Sequence, residues 1–211
     1  HVDEVREILH QMIADGNRAG DVIARIRAFL RKTPAVLAPF DVNHLIRDTT
    51  ALTEHHATSL GVTLHTKLTP GLPPVLGDRI QVQQVLLNLI RNGLEAMSTI
   101  ADRPRELHLS SRPDGPGAVL VAVRDSGVGI DRQDRIFEPF YTTKADGLGM
   151  GLAISRSIVE SYGGHLRVTT GRRNRFLAAQ STVEWVDPPP INADVVRPHV
   201  AQLRHDLYGE Q

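Results

Sequence analysis

Between residues 85 and 97 the sequence Val-Leu-Leu-Asn-Leu-Ile-Arg-Asn-Gly-Leu-Glu-Ala-Met sets apolar residues around most of a helix. A surface helix needs only one apolar stripe, so a helix of this kind has to lie against a sheet. The exceptions fall on one line. Gln84, Asn88, Asn92 and Glu95 are spaced four, four and three apart, which puts them on a stripe about 80° wide. Buried amides without partners cost roughly 1–3 kcal/mol each, and asparagine is a weak helix former. The stripe therefore points either to a polar cavity or ligand, or to a face turned toward water.

The rest of the chain supplies the sheet. Asp78 can cap a helix over residues 79–99, and alternating strands are expected near 40–42, 62–68, 106–112, 118–125, 165–170 and 181–186. A second helix is expected over 43–59, with Leu45, Ile46 and Leu52 on its inner face, and a third near 149–162. The Pro/Gly-rich stretch 70–77 reads as a loop. Strands mixed with three packing helices give an α+β chain, a two-layer sandwich with one sheet face covered.

Composition closes several alternatives. With 24 basic and 24 acidic side chains the formal charge is zero, so nonspecific nucleic-acid binding gains no support. No cysteine is present, which excludes disulfides, thiolate metal sites and a thiol nucleophile. No apolar run approaches the roughly 18 residues that span a bilayer. The expectation is a cytoplasmic domain without membrane contact, whose parent protein could be membrane-anchored.

Three further segments carry chemistry. In Arg124-Asp125-Ser126-Gly127-Val128-Gly129-Ile130 an apolar strand ends in a carboxylate followed by two glycines. A carboxylate accepts hydrogen bonds, which suits an exocyclic amine, and glycine lets a flat ring approach the backbone. Alone, such a run is more often a turn. Asp146-Gly147-Leu148-Gly149-Met150-Gly151-Leu152-Ala153-Ile154 sets glycines at alternate positions opening into a helix, where bare N–H groups make an anion site. Between them, Ile136-Phe137-Glu138-Pro139-Phe140-Tyr141-Thr142-Thr143-Lys144 reads either as a hydrophobic plug or as a lid anchored by Phe137 and Phe140.

In this order the four segments resemble the N, G1, F and G2 boxes of the histidine-kinase ATP-binding domain, whose fold is shared with gyrase, MutL and the ninety-kilodalton heat-shock chaperone. Phe-Tyr-Thr-Thr-Lys and Gly-Met-Gly-Leu-Ala-Ile-Ser-Arg-Ser-Ile-Val-Glu resemble the sensor kinases of two-component systems in particular. The resemblance implies a Bergerat fold, a mixed sheet covered on one face by three helices, with ATP and Mg²⁺ as its ligands. Carried over, Asn92 gives its amide oxygen to Mg²⁺, with Asn88 beside it on the metal or phosphates and Glu95 on the same stripe. Asp125 binds the adenine amine, Gly127, Gly129 and Ile130 shape the base pocket, and Thr182 is a further adenine contact. Tyr141, Thr142 and Thr143 lead to Lys144, which neutralises phosphates cradled by Gly147, Leu148, Gly149, Met150, Gly151 and Leu152. In hydrolytic relatives a glutamate stands where this chain has Asn88, which cannot act as a base, so transfer to another nucleophile is favoured over hydrolysis.

The flanks are less regular. Residues 1–33 carry an a/d seam from Val2 to Leu30, a helix about 45 Å long at roughly 1.5 Å per residue that needs partner helices. It resembles the second helix of the kinase dimerisation and phosphotransfer hairpin, incomplete because no histidine has the context of a phosphoacceptor. Residues 34–186 form the expected ATP-binding domain and 187–211 an atypical tail. The implied activity moves the γ-phosphoryl of MgATP to a histidine and then to a response-regulator aspartate, with self-association through the N-terminal helix. A module that keeps the fold without turnover, and a hydrolytic ATPase, remain the alternatives. His44, His55 and His56 are expected to be solvated rather than metal-bound.

Overall fold

A computed structural model describes residues 37–115, 117–130, 134–144, 147–173 and 176–185. The seam helix of residues 1–33 and the tail of 187–211 lie outside the described residues.

The chain opens with β1 (Ala38–Phe40) and α1 (Val42–Ser59). The strand expected over 40–42 is displaced because Asp41 caps α1. Its carboxylate accepts from the Asn43 N–H at 2.7 Å and the His44 N–H at 3.4 Å, which commits Val42 to the helix. Next come β2 (Thr63–Leu68) and β3 (Val75–Gly77). The loop expected over 70–77 thus contains a strand: Val75 to Gly77 pair antiparallel with Phe40 to Ala38, a two-stranded sheet apart from the main one. The expected cap of α2 (Arg79–Ala96) is present, with Asp78 accepting from the Ile80 N–H at 2.9 Å and the Gln81 N–H at 3.3 Å.

The main sheet is built from β2, β4 (Glu106–Pro113), β5 (Val119–Asp125), β6 (Gly164–Arg173) and β7 (Phe176–Trp185), with α3 (Gly151–Ser161) between β5 and β6. Its order is β2-β4-β5-β7-β6. Only β2 and β4 run parallel, and the other pairs are antiparallel. The final hairpin is longer than its sequence pattern suggests, and Arg172 and Arg173 belong to β6.

All three helices cover one sheet face. Strand alternation sends Leu107, Leu109, Val121, Val123, Leu166 and Val183 into the core. Against them pack Leu45 and Ile46 of α1, Val82, Val85, Leu86, Leu89, Ile90 and Leu94 of α2, and Val159 of α3. α2 is thus central, as its near-continuous apolar surface demands. Leu52, expected inside, is 67% exposed. The inner stripe of α1 instead passes through Leu45, Ile46, Thr49 and Ala57. Buried Asn43 pins α1 to the sheet by donating to the Thr69 carbonyl at 2.7 Å and accepting from the Ser111 hydroxyl at 2.6 Å. Tyr162, after α3, donates to Gln81 Oε1 at 2.9 Å, and burial reinforced by the charge of Asp78 raises its phenol above the usual pKa.

Candidate functional site

The polar stripe of α2 opens partly onto solvent and partly onto a groove beside α1 and α3. Asn88 and Asn92 are half-buried, while Gln84 and Glu95 are exposed. Water and cavity therefore share the stripe. Its upper half lines a groove of about 330 Å³ between α1 and α3, walled by Thr53, His56, Asn88, Arg91, Gly151 and Ser155. Asn88 Nδ2 donates to Ser155 Oγ at 3.0 Å, tying α2 to α3. Its amide oxygen faces Gly151, where an added Cβ would stand 2.4 Å from it.

At the other end of the stripe, Lys144 reaches back across the chain. Its ammonium lies 3.4 Å from Asn92 Oδ1 and forms an ion pair with Glu95. Arg91 Nε is 3.5 Å from Glu95 Oε1 and is a buried atom without a hydrogen-bond partner. Two hard oxygen donors, Asn92 and Glu95, thus converge on Lys144, and Glu95 also faces Arg91.

Asp125, a residue only 8% exposed, closes β5, and its Oδ1 accepts from the Gly127 N–H at 2.8 Å. Two glycines bring it against α2. A Cβ on Gly93 would stand 2.6 Å from Leu107 Cδ1 and 3.4 Å from Asp125 Cβ. A Cβ on Gly127 would meet the Ala96 carbonyl oxygen at 2.7 Å. The turn after Asp125 is clamped from outside, since Arg103 donates to the carbonyls of Ser126 at 3.0 Å and Gly127 at 2.9 Å. Gly129 has φ +79°, a left-handed conformation that Ile130 follows.

Residues 134–144 and 147–151 reach the polar stripe of α2 through Lys144 and Gly151. Their apolar anchors are Ile136, buried, and Phe137, which lies under the Arg156 guanidinium at 5.1 Å. Phe140 is no anchor: it is 71% exposed with φ +67°. That turn delivers Tyr141 onto Arg135, at 4.5 Å, and lays the backbone of 140–141 on Gly149. A Cβ there would be 2.4 Å from the Tyr141 carbonyl oxygen. Thr142 Oγ1 accepts from the Lys144 N–H at 3.1 Å and would meet a Cβ on Gly147 at 2.5 Å. Thr143 is exposed beside it. Met150 begins α3 without any side-chain cap, leaving the first N–H groups of the helix available to a ligand. Leu148 is partly exposed, and Leu152 packs on the core.

Asn88, Asn92, Glu95, Lys144 and the Gly147–Gly151 turn are thus brought together along the polar edge of α2, while Asp125 and Gly127 pack against Gly93 and Ala96 of the same helix. Thr182 joins neither group: it pairs with Ala122, well back along β5 from Asp125. Sequence reasoning missed Gly93, Ser155, Arg103 and Ile136. Gly93 carried a signal, because a glycine inside a helix costs about 1 kcal/mol and calls for a packing reason.

Among the described residues no helix is long and apolar enough to cross a membrane. Residues 77–188, more than half of the chain, match the histidine kinase-, DNA gyrase B-, and HSP90-like ATPase family. The sensor histidine kinase TmoS of Ectopseudomonas mendocina is 39% identical over 79% of this chain, and the sensor protein TdiS of Thauera aromatica is 37% identical over 81%. The chain spans only 17% and 32% of the lengths of these two curated relatives. Among solved structures, full-length ShkA in complex with AMPPNP superposes with a TM-score of 0.66 at 26% identity, covering 84% of this chain and 37% of ShkA. The catalytic domain of histidine kinase ThkA superposes with a TM-score of 0.59 at 30% identity, covering 70% of this chain and 94% of that domain. With the polar edge of α2, the buried Asp125 and the glycine turn in place, the chain belongs to the histidine kinase-, DNA gyrase B-, and HSP90-like ATPase family, as an ATP-binding domain of the sensor histidine kinase type.

Proposed function

We propose that this domain holds MgATP along the exposed edge of α2 and presents its γ-phosphoryl to a histidine of the parent protein, from which it passes to a response-regulator aspartate. The observation that carries the reading is the convergence of Asn92, Glu95 and Lys144. An ammonium already sits on the oxygen donors that a small cation would use. Two such donors fit magnesium, which takes few protein ligands and fills the rest of its shell with phosphate and water. Arg91, whose Nε faces Glu95 at 3.5 Å without a hydrogen bond, is a further cationic group beside the stripe.

Bound magnesium supplies charge neutralisation at the phosphate oxygens. The chain's own residues do the rest. Asp125 receives the adenine amine, and Gly93 and Gly127 let β5 and the turn after it pack closely on α2, which holds the carboxyl in place. The uncapped N-terminus of α3 and the N–H groups of the Gly147–Gly151 turn face the phosphates. Lys144 exchanges Glu95 for phosphate when nucleotide enters. Asn88 lacks a basic oxygen, and its Nδ2 is engaged by Ser155, so nothing at that position activates water and the phosphoryl is kept for transfer. Ile130 is proposed only as an outer contact to the base. The parent is proposed to self-associate through the helix of residues 1–33 and to use a response regulator as its partner.

Incubation with γ-labelled ATP tests this. Acid-labile label is expected on the parent protein, transferable to a response regulator, but not on these 211 residues alone. Steady phosphate release without labelled protein would overturn the transfer reading.

A further inference from the structure

The parallel pairing of β2 with β4 sets His65 directly opposite His108 on the sheet face away from the helices. Glu106, two positions before His108 on the same strand, shares that face. The two imidazole rings are stacked, with centroids 4.6 Å apart and planes 15° from parallel. Glu106 lies between them: Oε2 is 3.3 Å from His108 Nε2, and Oε1 is 3.8 Å from His65 Nε2. One ligand atom from each residue falls within 4.8 Å of both others. All three side chains are a little over 40% exposed, so they are open to solvent yet held by the sheet.

We propose that His65, Glu106 and His108 form a binding site for a divalent transition metal of the zinc type, which clips the edge strand β2 to β4. Ligands at 2.0–2.2 Å around a tetrahedral zinc stand ~3.3–3.6 Å from one another; the His108–Glu106 distance of 3.3 Å already matches that spacing, and the His65–Glu106 distance of 3.8 Å needs only a small side-chain adjustment. Two imidazoles and one carboxylate select zinc, nickel or copper over magnesium or calcium. The surrounding charge sharpens the choice. Lys67 follows on the same face of β2, and Arg124 stands opposite His108 in the register of β5. With one carboxylate against two cations, the site has little to offer a hard ion bound by charge alone. Water completes the fourth position, as in other three-ligand zinc sites.

The clip has a mechanical target. β2 is the sheet's edge and joins it only through β4. The Glu106 main chain is fastened to the turn after Asp125, since its carbonyl accepts from the Ser126 N–H at 3.1 Å and its N–H donates to the Ser126 hydroxyl at 3.0 Å.

The test is titration of the untagged protein with Zn²⁺ in chelator-free buffer by calorimetry, with thermal melts alongside. Wild type is expected to take up one tight equivalent of zinc and to gain about 5 °C in Tm at a large excess of metal over Kd, with Mg²⁺ giving no gain. His65→Ala, His108→Ala and Glu106→Gln each remove one half-exposed ligand and should keep the far-ultraviolet circular dichroism of wild type. Each should weaken the tight site by at least the ~10–100-fold that loss of even a supporting partner costs. Should a variant fail to fold, zinc-dependent shifts of the His65 and His108 imidazole resonances in wild type decide the same question. Equal zinc affinity in wild type and variants, or shifts confined to other histidines, would overturn the proposal.

Discussion

Gly127→Ala isolates the close approach on which base recognition rests. A Cβ at this position would lie 2.7 Å from the Ala96 carbonyl oxygen, 2.9 Å from its carbon and 2.7 Å from Asp125 Oδ1. Two of these three atoms are backbone at the end of α2, so no side-chain rotation relieves the clash. The turn would have to lift, against the two Arg103 bonds that hold it from the other side. Overpacking of this kind costs about 1–3 kcal/mol, and losing the Gly127 N–H to the Asp125 carboxylate adds about 1.5–3 kcal/mol, as for other hydrogen bonds to charged groups. With partial relaxation the net loss should be about 2–4 kcal/mol, a fall of about 5–15 °C in Tm for a chain of this size. Because the turn carries Asp125 with it, MgATP affinity should fall as well. Gly71→Ala is the control: its φ is +71°, and nothing lies within 4 Å of the added Cβ. It should cost only the left-handed penalty of about 1–2 kcal/mol and leave nucleotide binding intact. Urea denaturation and calorimetry on both variants give the answer. A Gly127→Ala protein no less stable than Gly71→Ala, with unchanged MgATP affinity, would refute the reasoning.

Asp125→Asn should weaken ATP by ~10-fold or more, the size of a lost charge-assisted hydrogen bond, while inosine triphosphate, which lacks the amine, is weakened much less; competition binding of the two nucleotides measures the difference. Lys144→Ala should leave Tm nearly unchanged, because its pair with Glu95 is about 40% exposed and screened, yet calorimetry should show MgATP bound ~10-fold or more weakly. Leu45→Ala, fully buried, should cost about 2–5 kcal/mol in urea denaturation, whereas Leu52→Ala, at 67% exposed, should stay within about 0.5 kcal/mol.

What could be read from the sequence was what local chemistry encodes. The stripe on α2, the Asp78 cap, the carboxylate at the end of β5 and the glycine turn before α3 each declare themselves within a few residues, and their order carried the family resemblance. Long-range pairing left no such trace. β3 was hidden because Val75, Leu76 and Gly77 follow two prolines and acquire strand character only by pairing with β1. Leu52 and Phe140 were misplaced for a related reason: apolarity shows that a residue prefers burial, but not whether a neighbouring element reaches far enough to cover it. The stripe of α1 turns away at Leu52, and the left-handed turn at Phe140 leaves Ile136 and Phe137 to hold the segment down. The His65, Glu106 and His108 cluster was equally silent, because it exists only through the parallel register of two strands separated by a short strand and a helix.

The central claim is that the exposed edge of α2 holds MgATP through Asn92. Calorimetric titration of the wild-type chain and of Asn92→Ala with ATP, each with and without magnesium, tests it most directly. One magnesium-dependent site is expected in wild type, and its loss in a variant that keeps the wild-type circular dichroism and a stability within about 1–2 kcal/mol of wild type. Unchanged, magnesium-dependent affinity in the folded variant would contradict it.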